Sequence, residues 1–297
     1  MIAFVRQVIS LGLRGVPRCR PAASHQPTLF LIGSLNMPNK YLLYIDMLGF
    51  SDLVLRRGAV DELYAIINSL NVHKHHAFKT IAFSDTLIVY NIHETDTPDS
   101  REYHVMYMCE FAQDLFYRLV PRDVHFRAFL TKGEFEHQQL DNLQAFYGAA
   151  LVAAYRREKT IDCTGLFIDA PILPDCAIFH YERYDAVTYF IHLMQSLDQT
   201  RFKDVTFPLD PILIGEAHWE LAYDFRYLKN IYGHMNNPEL DPRIRAKHEA
   251  AWNLIRRRHR PLLDTLEVND FNPQSISNFD WAEAIRHIDS AHGIYGP

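Results

Sequence analysis

Residues 41–46 alternate Leu42, Tyr44 and Asp46 against Tyr41, Leu43 and Ile45, and both sets are largely apolar. A strand apolar on both sides belongs at the centre of a sheet covered on both faces. Residues 49–70 then read as a helix, with Phe50, Leu53, Val54, Leu63, Ile66, Ile67 and Leu70 at helical spacing and Gly58 interrupting them. Two strands are expected over 77–83 and 86–92, then a loop over 94–100 from its turn residues. A helix is expected over 103–119, a strand over 124–133, a helix over 143–159 and a strand over 163–168. The order strand, helix, hairpin, helix, strand, helix, strand predicts an α+β sheet with helices on its faces.

After Pro174 the pattern changes, and helices are expected over 186–197, 212–232, 242–260 and 279–290. This divides the chain into an α+β domain over 37–174 and a mainly helical extension over 175–297. The extension carries the basic run Arg256-Arg-Arg-His-Arg260, read as a solvated helix end. Residues 1–36 hold Arg6, Arg14, Arg18 and Arg20 and no acidic residue. They read as a disordered leader, or as a start placed too early with Met37 as the working initiator. No internal repeat or low-complexity tract is evident.

With 297 residues, 48% hydrophobic and 13% aromatic, the chain can bury a full core. A net charge of −6 argues against a dedicated nucleic-acid binder, which needs a basic face. Cys19, Cys109, Cys163 and Cys176 lie far apart without C-x-x-C spacing, which points to reduced thiols in a cytoplasm. No apolar run approaches the roughly 20 residues needed to span a bilayer, so a soluble protein without a membrane partner is expected.

The candidate chemistry begins where two strands meet carboxylates. The first ends on Asp46 and turns through Met47-Leu48-Gly49 into helical sequence; Phe83-Ser-Asp85-Thr opens another β-branched run. Two carboxylates about 4 Å apart repel by about 4 kcal/mol at an effective dielectric of about 20, so such a pair needs a cation, a proton or distance. One reading places Asp46 and Asp85 over a divalent cation, with N–H groups after Gly49 facing a phosphate. The other makes each aspartate a cap, of a helix and of a turn. Asp52, inside the helix, reads as exposed. His73, His75 and His76 lack a nearby Cys or carboxylate and read as a polar strand end. G-x-S-x-G, the G-x-x-x-x-G-K-[ST] phosphate loop and the diguanylate cyclase signature are absent.

Four segments in order are similar to class III nucleotidyl cyclases, and among them to the Pycsar-type pyrimidine cyclases of bacterial antiphage defence. They are Tyr44-Ile-Asp46-Met-Leu-Gly-Phe50-Ser51, Phe83-Ser-Asp85-Thr, Arg127-Ala-Phe-Leu-Thr-Lys-Gly133-Glu134 and Tyr147-Gly-Ala-Ala-Leu-Val-Ala-Ala-Tyr155-Arg-Arg-Glu158-Lys159. The resemblance covers roughly residues 40–170. It implies a ferredoxin-like core and two Mn²⁺ or Mg²⁺ ions held by Asp46, Asp85 and the Met47 backbone carbonyl. Gly49 and Phe50 would offer N–H groups to the β- and γ-phosphates. It also implies an obligate homodimer with composite sites, the helix over 148–159 serving the partner's site.

On that helix Val152, Tyr155, Arg156 and Lys159 share one face. Val152 holds the position where purine cyclases carry an Asn, while Arg156 keeps their Arg position. Tyr155, Arg157 or Lys159 would then share the load. The other reading of Arg156, Arg157, Glu158 and Lys159 is solvated helix-end charge. Ile81 stands where purine cyclases read the base with a Lys, and Lys79 lies on the same strand face. That departure favours a pyrimidine, so the substrate expected is UTP, with CTP as the alternative. Arg127 and Lys132 would meet phosphate or form a salt bridge. The resemblance further implies a cyclic nucleotide product sensed by a separate effector. Two rivals stay open: a degenerate fold that binds nucleotide without turnover, and a purine cyclase with unusual base contacts.

Overall fold

The computed structural model describes residues 37–290 apart from 57, 94–96 and 203; the expected leader over 1–36 lies outside them. Strand β1 (Asn39–Met47) leads through Gly49 into two helices, α1 (Phe50–Leu55) and α2 (Ala59–Ser69). The single helix expected over 49–70 is thus broken, because Gly58 takes a left-handed backbone (φ 80°) that ends one helical path and starts another. The hairpin follows as β2 (Phe78–Phe83) and β3 (Thr86–Asn91), then α3 (Pro98–Leu119). That helix starts before the expected residue 103, since Thr97 caps it by accepting the Ser100 N–H and Pro98 needs no donor there.

Next come β4 (Phe126–Glu134), a small hairpin of β5 (Glu136–Gln139) and β6 (Gln144–Tyr147), helix α4 (Ala149–Glu158) and β7 (Gly165–Asp169). The helix expected from residue 143 therefore begins only at Ala149. Gln144–Tyr147 pairs instead with β5, in the register Glu136↔Tyr147 to Gln139↔Gln144. Beyond Pro174 the sheet continues as β8 (Tyr181–Arg183) and β9 (Thr188–Ile191). The helix expected over 186–197 is a strand and a 3₁₀ turn, Gln195–Thr200. Its Thr-Tyr-Phe-Ile run, poor in helix propensity, lies between β7 and β8 as sheet pairing favours. The tail then forms α5 (Pro211–Ile214), α6 (His218–Asn236), α7 (Pro242–Val268) and α8 (Ala282–Asp289). Helix α7 bends at His259 (φ −119°, ψ 34°), two residues before Pro261.

The result is the α+β architecture expected: a seven-stranded sheet ordered β2-β3-β1-β4-β7-β9-β8, mostly antiparallel, with helices packed on it. Only β4 and β7 run parallel, bridged by α4. Strand β1 is central, and Tyr41, Leu42, Leu43 and Ile45 are fully buried. Its Tyr41 face meets α3: the Tyr41 and His104 rings stack 6.4 Å apart. Its Tyr44 face meets α4, where Tyr44 and Tyr155 pack edge to face at 6.4 Å.

The tail docks where β4 and β7 begin. The Tyr227 and Thr164 hydroxyls lie 3.2 Å apart, and the buried Asp224 accepts from Tyr117 at 3.2 Å and from Ser196. The basic run is internally paired: Arg258 grips Asp198 at 2.9 and 3.0 Å, Arg257 reaches Glu182 at 3.6 Å, and Arg256 and Arg260 meet Asp264. No helix among the described residues is long and apolar enough to cross a membrane. Cys109, Cys163 and Cys176 are free and buried; Cys19 lies outside the described residues.

Gly148 joins β6 to α4 with φ 145°, and a Cβ there would stand 2.7 Å from the Phe135 Cα and collide with the Glu134 carbonyl. Gly58 has open space around it, so Gly58→Ala carries only the backbone cost. Gly148→Ala should cost about 3 kcal/mol or more in urea unfolding, against about 1 kcal/mol for Gly58→Ala. Equal losses would show that α4 does not depend on this close approach.

Candidate active site

Asp46 is the penultimate residue of β1, opposite Thr86 on β3 and Arg127 on β4. Residues in register share a face, so Tyr44, Asp46, Thr86 and Arg127 stand on the α4 side of the sheet. Asp85 sits in the β2–β3 turn, after Ser84 in a left-handed conformation (φ 55°). Its backbone carbonyl accepts the Met47 N–H at 2.8 Å, and the Leu48 N–H donates to the His125 carbonyl at 2.9 Å. The turn after β1 is thereby held from both neighbouring strands. Gly49 (φ 72°) then swings the chain into α1, and Phe50 packs partly against the core. N–H groups in a first helical turn have no intrahelical acceptor, so Gly49 and Phe50 remain the donors after Met47 and Leu48 are committed.

Burial pushes the Asp46 carboxyl up to about 6, and the charge of Asp85 adds to the rise, while Arg127, Lys247 and Lys159 oppose it. Burial also raises the Tyr44 phenol, whose hydroxyl is 3.4 Å from that of Thr86. Arg127 is engaged inside the fold: its Nη2 lies 3.5 Å from Asp46 Oδ2, it forms an ion pair with buried Glu158, and its Nη1 donates to the Ile161 carbonyl at 2.6 Å. Burial lowers its pKa, and its Nε has no hydrogen-bond partner. Lys132, opposite Tyr41, stands on the other face of the sheet with its ammonium 4.6 Å from the Tyr41 ring centre. It is turned away from Asp46, contrary to the phosphate contact considered for it.

Helix α4 divides the residues expected to act together. Tyr155 packs inward on Tyr44, and Lys159 donates to the Tyr155 hydroxyl, its ammonium 3.8 Å from that ring's centre. Val152 (48% exposed) and Arg156 face outward. Arg157 binds Asp185 and Thr188, and Glu158, read as solvated helix-end charge, is buried at 4% exposure on Arg127. On the hairpin, Lys79↔Tyr90, Ile81↔Ile88 and Phe83↔Thr86 place Lys79 and Ile81 on the Asp46 face, with Lys79 at the level of Leu42. Tyr44 and Glu158 lie in the quoted motifs and could have been read from their spacing to Asp46 and Arg156. Lys247 on α7 had no local signal; only the fold brings it beside Asp46, Asp162 and Arg127, where burial lowers its pKa.

Two carboxylates and a backbone carbonyl are hard oxygen donors of the kind Mg²⁺ and Mn²⁺ prefer. The charge already left unbalanced between Asp46 and Asp85 fits a cation there. A cleft of about 600 Å³ lies elsewhere, lined by His180, Asp198, Arg201, Phe207, Arg258 and Leu262, and includes none of these residues.

No family model and no curated protein matches the chain. Among solved structures it is similar to the adenylyl cyclase CyaB from P. aeruginosa, at 12% identity over 52% of this chain and 93% of that one, with a TM-score of 0.39. It is similar to the catalytic core of a rhodopsin-guanylyl cyclase with converted specificity in complex with ATPαS, at 15% identity over 53% and 97%, TM-score 0.40. The guanylate cyclase domain of RhGC from Catenaria anguillulae in complex with GTP gives 11% identity over 53% and 97%, TM-score 0.38. Likeness of this degree assigns no activity.

A carboxyl held at about 6 against its ordinary 3.8 weakens the fold when ionised. The penalty is absent below pH 3.8, grows as pH rises through 6, and is complete above it. In metal-free protein, Asp46→Asn should therefore raise the unfolding free energy by on the order of 2 kcal/mol at pH 8 and by little at pH 3.5. Urea unfolding at the two values checks this; a variant less stable at pH 8 would mean that Arg127 already compensates the charge in full.

Proposed function

We propose that this chain is a nucleotidyl cyclase that converts UTP to 3′,5′-cyclic UMP and pyrophosphate, with CTP as the alternative substrate. The observation that carries this reading is the placement of Asp46 and Asp85 at adjoining strand ends, with Asp46 opposite Thr86 and the Met47 N–H donating to the Asp85 carbonyl. Asp46, Asp85 and the Met47 carbonyl would hold two Mn²⁺ or Mg²⁺ ions. Such ions neutralise phosphate charge and make a hydroxyl more acidic. Gly49 and Phe50 bind the phosphate tail through their N–H groups, and Arg127 positions Asp46. The ribose 3′-oxygen forms a bond to the α-phosphorus in line as the bond to the β-phosphate oxygen breaks. The hydroxyl proton passes to solvent and pyrophosphate departs. The chain's part is placement and fixed charge.

A homodimer completes the site. Val152 and Arg156 point outward from α4, and Leu140, Leu143, Phe146 and Tyr147 of the β5–β6 hairpin are also exposed. Exposed apolar side chains on α4 and on the hairpin fit a subunit contact, across which Arg156 would reach the partner's nucleotide. Tyr155 and Lys159 stay with their own chain's Asp46. Ile81 on the Asp46 face, where a purine-reading Lys would stand, supports the pyrimidine. The role as a second-messenger source in antiphage defence, with a separate effector, rests on the motif resemblance alone. Val152 keeps one competing reading open, a nucleotide-binding module without turnover, against which the retention of both Asp46 and Asp85 speaks.

Purified full-length protein incubated with each of the four NTPs and Mn²⁺ should yield cyclic UMP as the main product by mass spectrometry. ATP or GTP as the best substrate would overturn the pyrimidine assignment, and no cyclic product from any NTP would favour the binding module. Asp46→Ala and Asp85→Ala should each lower turnover by roughly two to three orders of magnitude while gel filtration shows an unchanged dimer. A variant near full rate would remove the shared-carboxylate mechanism.

A further inference from the structure

Three imidazoles from separate elements close on one point where the tail meets the sheet. His125 directly precedes β4, His234 stands in the last turn of α6, and His248 lies near the start of α7. Each offers one nitrogen within 4.8 Å of the other two. The ring centres are 5.4 Å apart for His125–His234, 4.8 Å for His125–His248 and 4.7 Å for His234–His248. Asp123, held in a left-handed conformation (φ 53°), places its carboxylate 3.0 Å from His125 Nε2 and 2.9 Å from His234 Nε2. His248 is 5% exposed, and its Nδ1 is buried without a hydrogen-bond partner.

We propose that His125, His234, His248 and Asp123 bind one Zn²⁺ in a closed, tetrahedral structural site. Bonds of about 2.0–2.1 Å to a tetrahedral Zn²⁺ put neighbouring ligand atoms roughly 3.3 Å apart. One Asp123 carboxylate oxygen already stands near that spacing to His125 and the other to His234, and the three imidazole nitrogens, now within 4.8 Å of one another, would draw closer around the ion. The donor set is chemically apt: three borderline nitrogens and one carboxylate suit Zn²⁺, whereas the all-oxygen Asp46–Asp85 pair suits harder cations. An ion would also satisfy the buried His248 nitrogen, which otherwise carries a desolvation cost.

The ion would tie α6 and α7 to the segment that supports the candidate active site. The His125 carbonyl accepts the Leu48 N–H at 2.9 Å, and Lys247, next to His248, lies in the field of Asp46. The inference does not depend on the proposed cyclase activity, because its readout is metal content and spectroscopy.

Full-length protein stripped with chelator, reloaded with Zn²⁺ and dialysed should retain about one ion per chain by mass spectrometry of metals. The melting temperature should rise by roughly 5 °C on reloading. Co²⁺ in its place should give the intense visible absorption of a tetrahedral site. His234→Gln and His248→Gln should lose both the retained Zn²⁺ and the Co²⁺ spectrum, and an Asp46→Asn/Asp85→Asn double variant should keep both. No retained zinc, a weak octahedral Co²⁺ spectrum, no rise in melting temperature of the unmutated chain, or retention undiminished in the histidine variants would overturn the site.

Discussion

A carboxylate at the end of a buried central strand is the constraint around which this molecule is arranged. Asp46 cannot leave β1, whose other side chains fill the core on both faces of the sheet. An ionised group so placed is costly unless partnered. Arg127, directly across on β4, is a partial answer, because its guanidinium is shared with buried Glu158 and the Ile161 carbonyl. One arginine thus serves two acids. Pairing with Glu158 anchors the end of α4 over the sheet, and what remains of the charge at Asp46 is exposed to Asp85.

The tail is part of the same arrangement. Its helices dock at the end of the sheet where β1 finishes and where β4 and β7 begin, through Tyr227 on Thr164 and through the histidines around Asp123. The backbone there runs as a short relay: Met47 bonds to the hairpin turn, and Leu48 bonds to His125 at the entrance to β4. A shift of α6 or α7 would therefore be felt at the turn that carries Gly49, while Lys247 contributes positive charge from the tail itself. Rigid placement of this kind suits a reaction in which the protein supplies position and electrostatics.

Helix α4 divides its labour by face. Its inner side is committed within the chain, with Tyr155 on Tyr44, Ala150 against Gly133 and Glu158 on Arg127. Its outer side, with Val152 and Arg156, is exposed. Helical periodicity assigned Val152, Tyr155, Arg156 and Lys159 to one side, but four residues spread over two turns span an arc wide enough to straddle the edge of a packed face.

Where local signals were strong, the sequence by itself determined the outcome: a doubly apolar β1, the β2–β3 hairpin, a strand at β7, and aspartates where strands end. It also determined that a helix would follow β4, although it ran that helix back to residue 143, because Gln144–Tyr147 becomes a strand only once β5 lies beside it. Residues 188–191 are strand for the same reason, since their hydrogen bonds are supplied by β7 and β8. Tertiary structure alone decided the burial of Glu158, the approach of Lys247 and the meeting of His125, His234 and His248. Periodicity reports the face that one element presents to its own core. It holds no information on which residue, more than a hundred positions away, will stand opposite when separate elements close on a point.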